Sequence, residues 1–159
     1  MAVYKTRRSA ESYGQAVGIL LLDAKAPFIP GDVANASSYS YPVIYKTVEG
    51  LSTAVCLNGA PEFNVKMAEA AKELEAAGVR GISSDCGFML QFQDAVREAV
   101  KVPVALSSLL QIPFIAKTLE PSRPIGVITA DSTNLTPDFL TRGGIDVPNP
   151  IIIRGMQDE

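Results

Sequence analysis

The chain has 159 residues, 47% hydrophobic and 19% charged, with a net charge of −3 and a pI near 5.0. That balance predicts a folded unit large enough to bury a core and excludes a disordered chain. It also excludes an electrostatic surface for nucleic acid or anionic membrane, since Arg7 and Arg8 form a pair and not a patch. No run approaches the roughly 20 apolar residues of a membrane span, and the apolar stretch 17–22 is too short for a secretory signal, so a cytoplasmic protein is expected. There is no histidine, and the two cysteines, Cys56 and Cys86, predict neither a disulfide framework nor a zinc site.

Residues 1–15 are polar and read as a loosely ordered lead-in. The continuous apolar run 17–22 predicts a strand buried on both faces of a parallel sheet. Residues 26–38 hold two prolines, a glycine and several short polar side chains, which predicts a long loop, either a binding loop or a plain surface connection. Residues 41–48, aromatic and β-branched, read as a second strand, and 52–57 as its extension or a short separate strand that buries Cys56 as an inert thiol. Pro61 opens a helix over 61–77 with an apolar stripe of Phe63, Met67, Ala70, Ala71 and Leu74, stopped by Gly78.

A strand over 79–84 then leads into Ser83-Ser84-Asp85-Cys86-Gly87-Phe88, followed by a helical stripe of Met89, Phe92, Val96 and Val100. A short strand over 102–106 ends in Ser107-Ser108, where Ser108 with Gln111 fits a capping box for a helix reaching Leu119. Residues 125–129 and 150–153 read as strands. Between them Asp131 or Ser132 is a candidate cap, and Thr136-Pro137 starts a helix that Gly143-Gly144 terminates. The alternation predicts an α/β fold with a mainly parallel sheet and helices on both faces. Residues 121–124, Pro-Ser-Arg-Pro, mark a boundary between lobes 1–120 and 121–159.

Ligands of open parallel sheets bind beyond the carboxyl ends of the strands. Those ends hold Asp32 and Asn35, then Ser84, Asp85, Cys86 and Gly87, then Ser107 and Ser108, then Thr129, Asp131 and Ser132. They offer small hydrogen-bonding groups around one thiol, with helix N-termini suited to a carboxylate. Unpaired amides and the helix dipole favour a thiolate at Cys86, whereas Asp85 beside it disfavours one. A structural cysteine in a tight turn stays open as the plain alternative. No phosphate loop is present, and without histidine or Gly-x-Ser-x-Gly neither a serine hydrolase nor a cysteine protease is expected. Nothing argues for pyridoxal phosphate, another cofactor or a metal.

Pro30-Gly31-Asp32 with Asn35, Tyr41-Pro42-Val43, Val48-Glu49-Gly50, Cys86-Gly87-Phe88, Val102-Pro103-Val104 with Ser107-Ser108, and Gly126-Val127-Ile128-Thr129 follow one another in this order. Together they resemble the aspartate/glutamate racemase superfamily, which includes hydantoin racemases, over the chain from Gly18 onwards. The resemblance implies two similar α/β lobes, no cofactor, and one cysteine from each lobe on opposite sides of the substrate Cα. Cys86 matches the first-lobe cysteine, the catalytic residue that removes or delivers the α-proton. Asn35, Ser38, Ser84, Gly87 and Ser107 resemble the groups that hold the substrate carboxylate, and Thr129 ends the strand that opens the second lobe. The second cysteine of the family falls beyond residue 159, and Cys56 is not at an equivalent place.

The expected function is therefore a racemase-type isomerase of an amino acid or hydantoin, with little two-base activity in these 159 residues. The alternative is a non-catalytic module that binds a small carboxylate or another protein. A one-thiol reaction such as malonate decarboxylation ranks below both, since single-cysteine relatives with that chemistry use the second-lobe cysteine. The apolar final strand, with Ile151, Ile152 and Ile153, predicts a homodimer or higher homo-oligomer.

Overall fold

The protein is described by a computed structural model over residues 10–158. Part of the expected lead-in, with Arg7 and Arg8, lies outside the described residues. Residues 10–15 are tied down: the Glu11 amide donates to the Ala76 carbonyl at 2.7 Å and the Ser12 hydroxyl to the Ala77 carbonyl at 2.6 Å.

The first apolar run forms β1 (Val17–Leu21), central in a three-stranded sheet, parallel both to β2 (Val43–Thr47) and to β3 (Ile82–Ser84). A central parallel strand has no solvated face, which is why the run does not alternate with polar residues. Against it lies α2 (Asn64–Ala76), whose buried Met67, Ala70, Ala71 and Leu74 fall at the i, i+3, i+4, i+7 spacing of one helical face. Gly18 sets the approach of helix to sheet, because a Cβ there would stand 2.9 Å from Leu74 Cδ1.

Residues 52–57 are not a strand. They form a short helix, α1 (Thr53–Leu57), in which the Ser52 hydroxyl accepts the Val55 amide at 3.3 Å and Asn58 Nδ2 donates to the Ala54 carbonyl at 2.9 Å. These two polar side chains satisfy the ends of the turn and override the β-branched Thr53 and Val55. The helix after Cys86 begins as a 3-10 segment, Gly87–Phe92, and continues as α3 (Gln93–Ala99).

The strand expected over 102–106 is reduced to a single parallel bridge between Ile82 and Val104. Its Pro103 carbonyl and Ala105 amide pair with Ile82, and side chains hold other backbone groups: Gln93 accepts the Leu106 amide at 2.9 Å and donates to the Val104 carbonyl at 3.0 Å. The Ser83 and Ser84 hydroxyls donate to the carbonyls of Ala105 and Leu106. The cap of the next helical stretch is Ser107, not Ser108, with its hydroxyl accepting the Leu109 amide at 3.2 Å. That stretch is a 3-10 turn, Ser108–Gln111, followed by α4 (Ile112–Ala116), short of the expected Leu119.

β4 (Ile125–Thr129) and β5 (Ile151–Gly155) pair in parallel as a separate two-stranded sheet. Between them α5 (Pro137–Arg142) starts where expected, with the Thr136 hydroxyl accepting the Phe139 amide at 3.2 Å. Asp131 caps no helix; its carboxylate accepts the Thr133 amide and hydroxyl in a turn. α5 seats on the segment after Cys86, with the Phe139 ring 5.3 Å from that of Phe88. Gly143 fits closely there, since a Cβ would lie 2.4 Å from Leu90 Cδ2.

Candidate functional site

β3 ends at Ser84, and Cys86 is the extended residue that caps the following 3-10 segment. The sequence folds this way because Ser84 is fixed from both sides: its hydroxyl donates to the Leu106 carbonyl and lies 3.2 Å from the Cys86 carbonyl. The chain must then turn, and Gly87 does so against Ser107, whose Oγ would lie 3.7 Å from a Cβ at that position. The Cys86 sulfur is thereby left facing the amides of Phe88 and Met89.

The partner that sequence reasoning missed is Cys56. It is fully buried on α1, and its thiol is the hydrogen-bond partner of the Cys86 sulfur. Gln91 fastens the two segments together. Its Nε2 donates to the Cys56 carbonyl at 2.9 Å and the Phe88 carbonyl at 3.0 Å, while its Oε1 accepts the Ala60 amide at 2.8 Å. The contact spans 30 residues of chain and has no local signal beyond the Ser52 and Asn58-Gly59 punctuation of α1. Both cysteines are free thiols.

Electrostatics divide the pair. The Cys56 hydrogen bond holds the Cys86 thiol below its ordinary range, assisted by the Phe88 and Met89 amides and opposed by burial and by Asp85. Cys56 is driven the other way, by that same bond and by burial, and keeps its proton. Of the two, Cys86 is therefore the thiol that loses its proton more readily and Cys56 the donor. Replacing Cys56 with alanine is expected to move the pH profile of Cys86 alkylation by iodoacetamide to higher pH. Cys56→Ser, which keeps a donor, is expected to restore part of the shift, and an unchanged profile in both variants would remove Cys56 from this role.

Two clefts meet at this sulfur. One, of about 360 Å³, is lined by Val33, Ser84, Ser107 and Gln111, and the other, of about 280 Å³, by Phe88, Leu109, Val127 and Thr129. Asp85, Cys86, Gly87 and Ser108 line both. Of the expected substrate-binding residues, Ser84, Gly87, Ser107 and Thr129 are thus brought together around Cys86. Val33 brings the 26–38 loop to the cleft. Asn35 and Ser38 shape that loop: Asn35 Nδ2 donates to the Phe28 carbonyl at 2.8 Å, and the Ser38 hydroxyl donates to the Asp32 carbonyl at 2.6 Å. A further cavity of about 350 Å³, bordered by Asn58, Asn64, Gln91, Phe139 and Arg142, contains no thiol and no carboxylate. Among the described residues no cluster of cysteine and carboxylate groups could hold a metal ion, and no helix is long and apolar enough to cross a membrane.

No protein-family profile matches the chain. Among curated proteins it is 36% identical to dimethylsulfoniopropionate lyase 7 of Emiliania huxleyi (strain CCMP1516), over 89% of this chain and 43% of that protein. It is also 36% identical to a dimethylsulfoniopropionate lyase of Durusdinium sp. clade D, over 76% of this chain and 41% of that one. The chain thus spans less than half the length of the curated relatives it matches. Among solved structures, a mutant of arylmalonate decarboxylase in its sulfate-associated form superposes with a TM-score of 0.59 at 18% identity, over 89% of this chain and 62% of that one. Parallel strands, a cysteine at the end of β3 and that superposition agree, and the chain has the aspartate/glutamate racemase-like fold.

Proposed function

We propose that this chain provides the Cys86 half of a lyase site that eliminates dimethyl sulfide from dimethylsulfoniopropionate. The observation that carries the reading is the Cys86 sulfur at the junction of two clefts, its thiol held below the ordinary range by a buried thiol and two backbone amides. Such a sulfur can take the proton from the carbon next to a carboxylate. As that C–H bond breaks, its electron pair becomes the new C=C bond and the C–S bond breaks toward sulfur. The products are acrylate and dimethyl sulfide, and Cys86, now a neutral thiol, returns its proton to solvent.

We read the site as one for elimination: racemisation needs a second acid on the opposite face of the carbon, a role that the fully buried Cys56 does not fill. Elimination needs one base. The curated relatives that are lyases of this substrate support the same choice. In this reading residues 1–120 form the lobe that holds the base, and residues 121–159 begin the lobe that closes over it.

The test is release of dimethyl sulfide into the headspace above the 159-residue chain, with a Cys86→Ser control. The rate is expected to climb with pH as Cys86 deprotonates, with a midpoint below that of an ordinary thiol. Release that survives Cys86→Ser would overturn the assignment. Deuteration of aspartate, glutamate or a hydantoin at Cα in D2O without dimethyl sulfide would instead establish the racemase-type reaction. Thermal stabilisation by small carboxylates with neither reaction would leave a binding module.

A further inference from the structure

Asp85 is used by nothing in the mechanism above, yet it lines both clefts beside the reactive sulfur. Among the described residues it is the only acidic or basic side chain lining either one. Its carboxylate accepts the Leu22 amide, at 3.1 and 3.2 Å, and its own backbone amide, which leaves further lone pairs without a cation. A further negative charge, Asp32 on the 26–38 loop, also acts on it. An uncompensated, half-buried carboxylate is costly, and its ordinary remedy is a counter-charge.

We propose that Asp85 determines specificity by pairing with the positive end of a zwitterionic substrate, the sulfonium of dimethylsulfoniopropionate. The inference rests on the lyase reading for the identity of the substrate, but the charge preference can be measured without turnover. The sulfonium sulfur, carried on the β-carbon, sits two bonds from the carbon that loses its proton, so a carboxylate adjacent to Cys86 is within the span of so small a molecule. The neutral donors at Gly87, Ser107 and Ser108 remain for the substrate's own carboxylate. The same negative pair repels a second carboxylate, which disfavours dicarboxylic acids at this place. Burial is also what pushes Asp85 up to about 6, so the counter-charge is present at pH 7.5 and lost as the pH falls below that value.

The groups facing Asp85 are Leu22 N–H, Cys86 and Asp32, and facing Cys86 they are Cys56 and Asp85. Two opposite effects of Asp85→Asn follow. Loss of the counter-charge is expected to raise KM about five- to tenfold. Loss of a negative neighbour lowers the Cys86 thiol further, so kcat near neutral pH is expected to hold or rise. A purely structural role for Asp85 would depress both kcat and thermal stability.

The binding experiment compares dimethylsulfoniopropionate with 4-methylpentanoate, the isosteric anion that has an uncharged carbon in place of the sulfonium, by calorimetry on the 159-residue chain. At pH 7.5 the zwitterion is expected to bind about five- to tenfold more tightly, a preference that shrinks at pH 5 and is absent in Asp85→Asn. The pH comparison needs no variant and stands even if Asp85→Asn does not fold. Equal affinity at pH 7.5, no binding of either compound, or a preference that persists in Asp85→Asn would overturn the proposal. Selective binding without dimethyl sulfide release would sink the lyase reading and leave the role of Asp85 intact.

Discussion

Cys86→Ala is expected to lower dimethyl sulfide release by about 10²- to 10⁴-fold, the range for removing a positioned general base. Cys86→Ser is expected to lose nearly as much, because a hydroxyl in the same place is far too weak an acid to be deprotonated by two amides and a thiol. The fold should be indifferent to either change. Cys86 is half-buried and caps the Gly87–Phe92 segment through its backbone, and no side-chain cap is made there. Far-UV circular dichroism and the melting temperature of both variants should therefore match the parent. A variant that keeps more than a tenth of the rate while folding normally would show that the proton leaves by another route.

That loss can be separated from the effects of Cys56 and Asp85 by its pH behaviour. Cys56→Ala leaves the base in place and displaces the rising limb to higher pH, because a donor to the thiolate is gone. Asp85→Asn displaces the same limb to lower pH while weakening binding. Cys86→Ala removes the limb. Three variants around one sulfur thus give three different curves, and an unfolded protein mimics none of them.

What the sequence discloses about this site follows from how local each interaction is. β1 is legible because a strand buried on both faces must be apolar throughout, and α2 because its buried residues recur at helical spacing. The cysteine turn is legible for a related reason: a short apolar strand, small polar residues and a glycine announce a strand end, and the motifs beside it resemble one superfamily. The segment 102–106 is misleading. Its composition is that of a strand, and its Pro103 carbonyl and Ala105 amide do pair with Ile82. The ladder ends there because the Ser83 hydroxyl takes the Ala105 carbonyl and Gln93, on a helix, holds the groups of Val104 and Leu106. Cys56 is misleading in the same way. Its burial is correctly anticipated, but its function depends on Gln91 bringing α1 to the turn after Cys86, across 35 residues between Gln91 and Cys56. The cap at Ser107 in place of Ser108 is a one-residue error, the usual scale of uncertainty at a helix start.

Phe92→Ala is expected to be the most damaging single change to stability, about 3–5 kcal/mol, from lost transfer energy and the cavity left behind. Phe92 is completely buried and closes the 3-10 segment that begins with Gly87, so its ring anchors the junction from which α3 continues. For a chain of this length the cost corresponds to a fall in melting temperature on the order of 10 °C. It is a large share of the roughly 5–15 kcal/mol that holds a domain together. The site should suffer before the chain unfolds. The amides of Phe88 and Met89 that face the Cys86 sulfur belong to the segment Phe92 pins, and so does Gln91, which holds Cys56 in place. Loosening this segment weakens all three supports of the thiolate together. In Phe92→Ala, alkylation of Cys86 at temperatures well below the melting point is expected to shift toward the pH dependence of an ordinary thiol. In Phe92→Leu, which refills most of the space, both stability and profile are expected to recover substantially. A large fall in melting temperature with an unaltered Cys86 profile would mean that the sulfur is held by its immediate neighbours alone, independent of the packing beneath them.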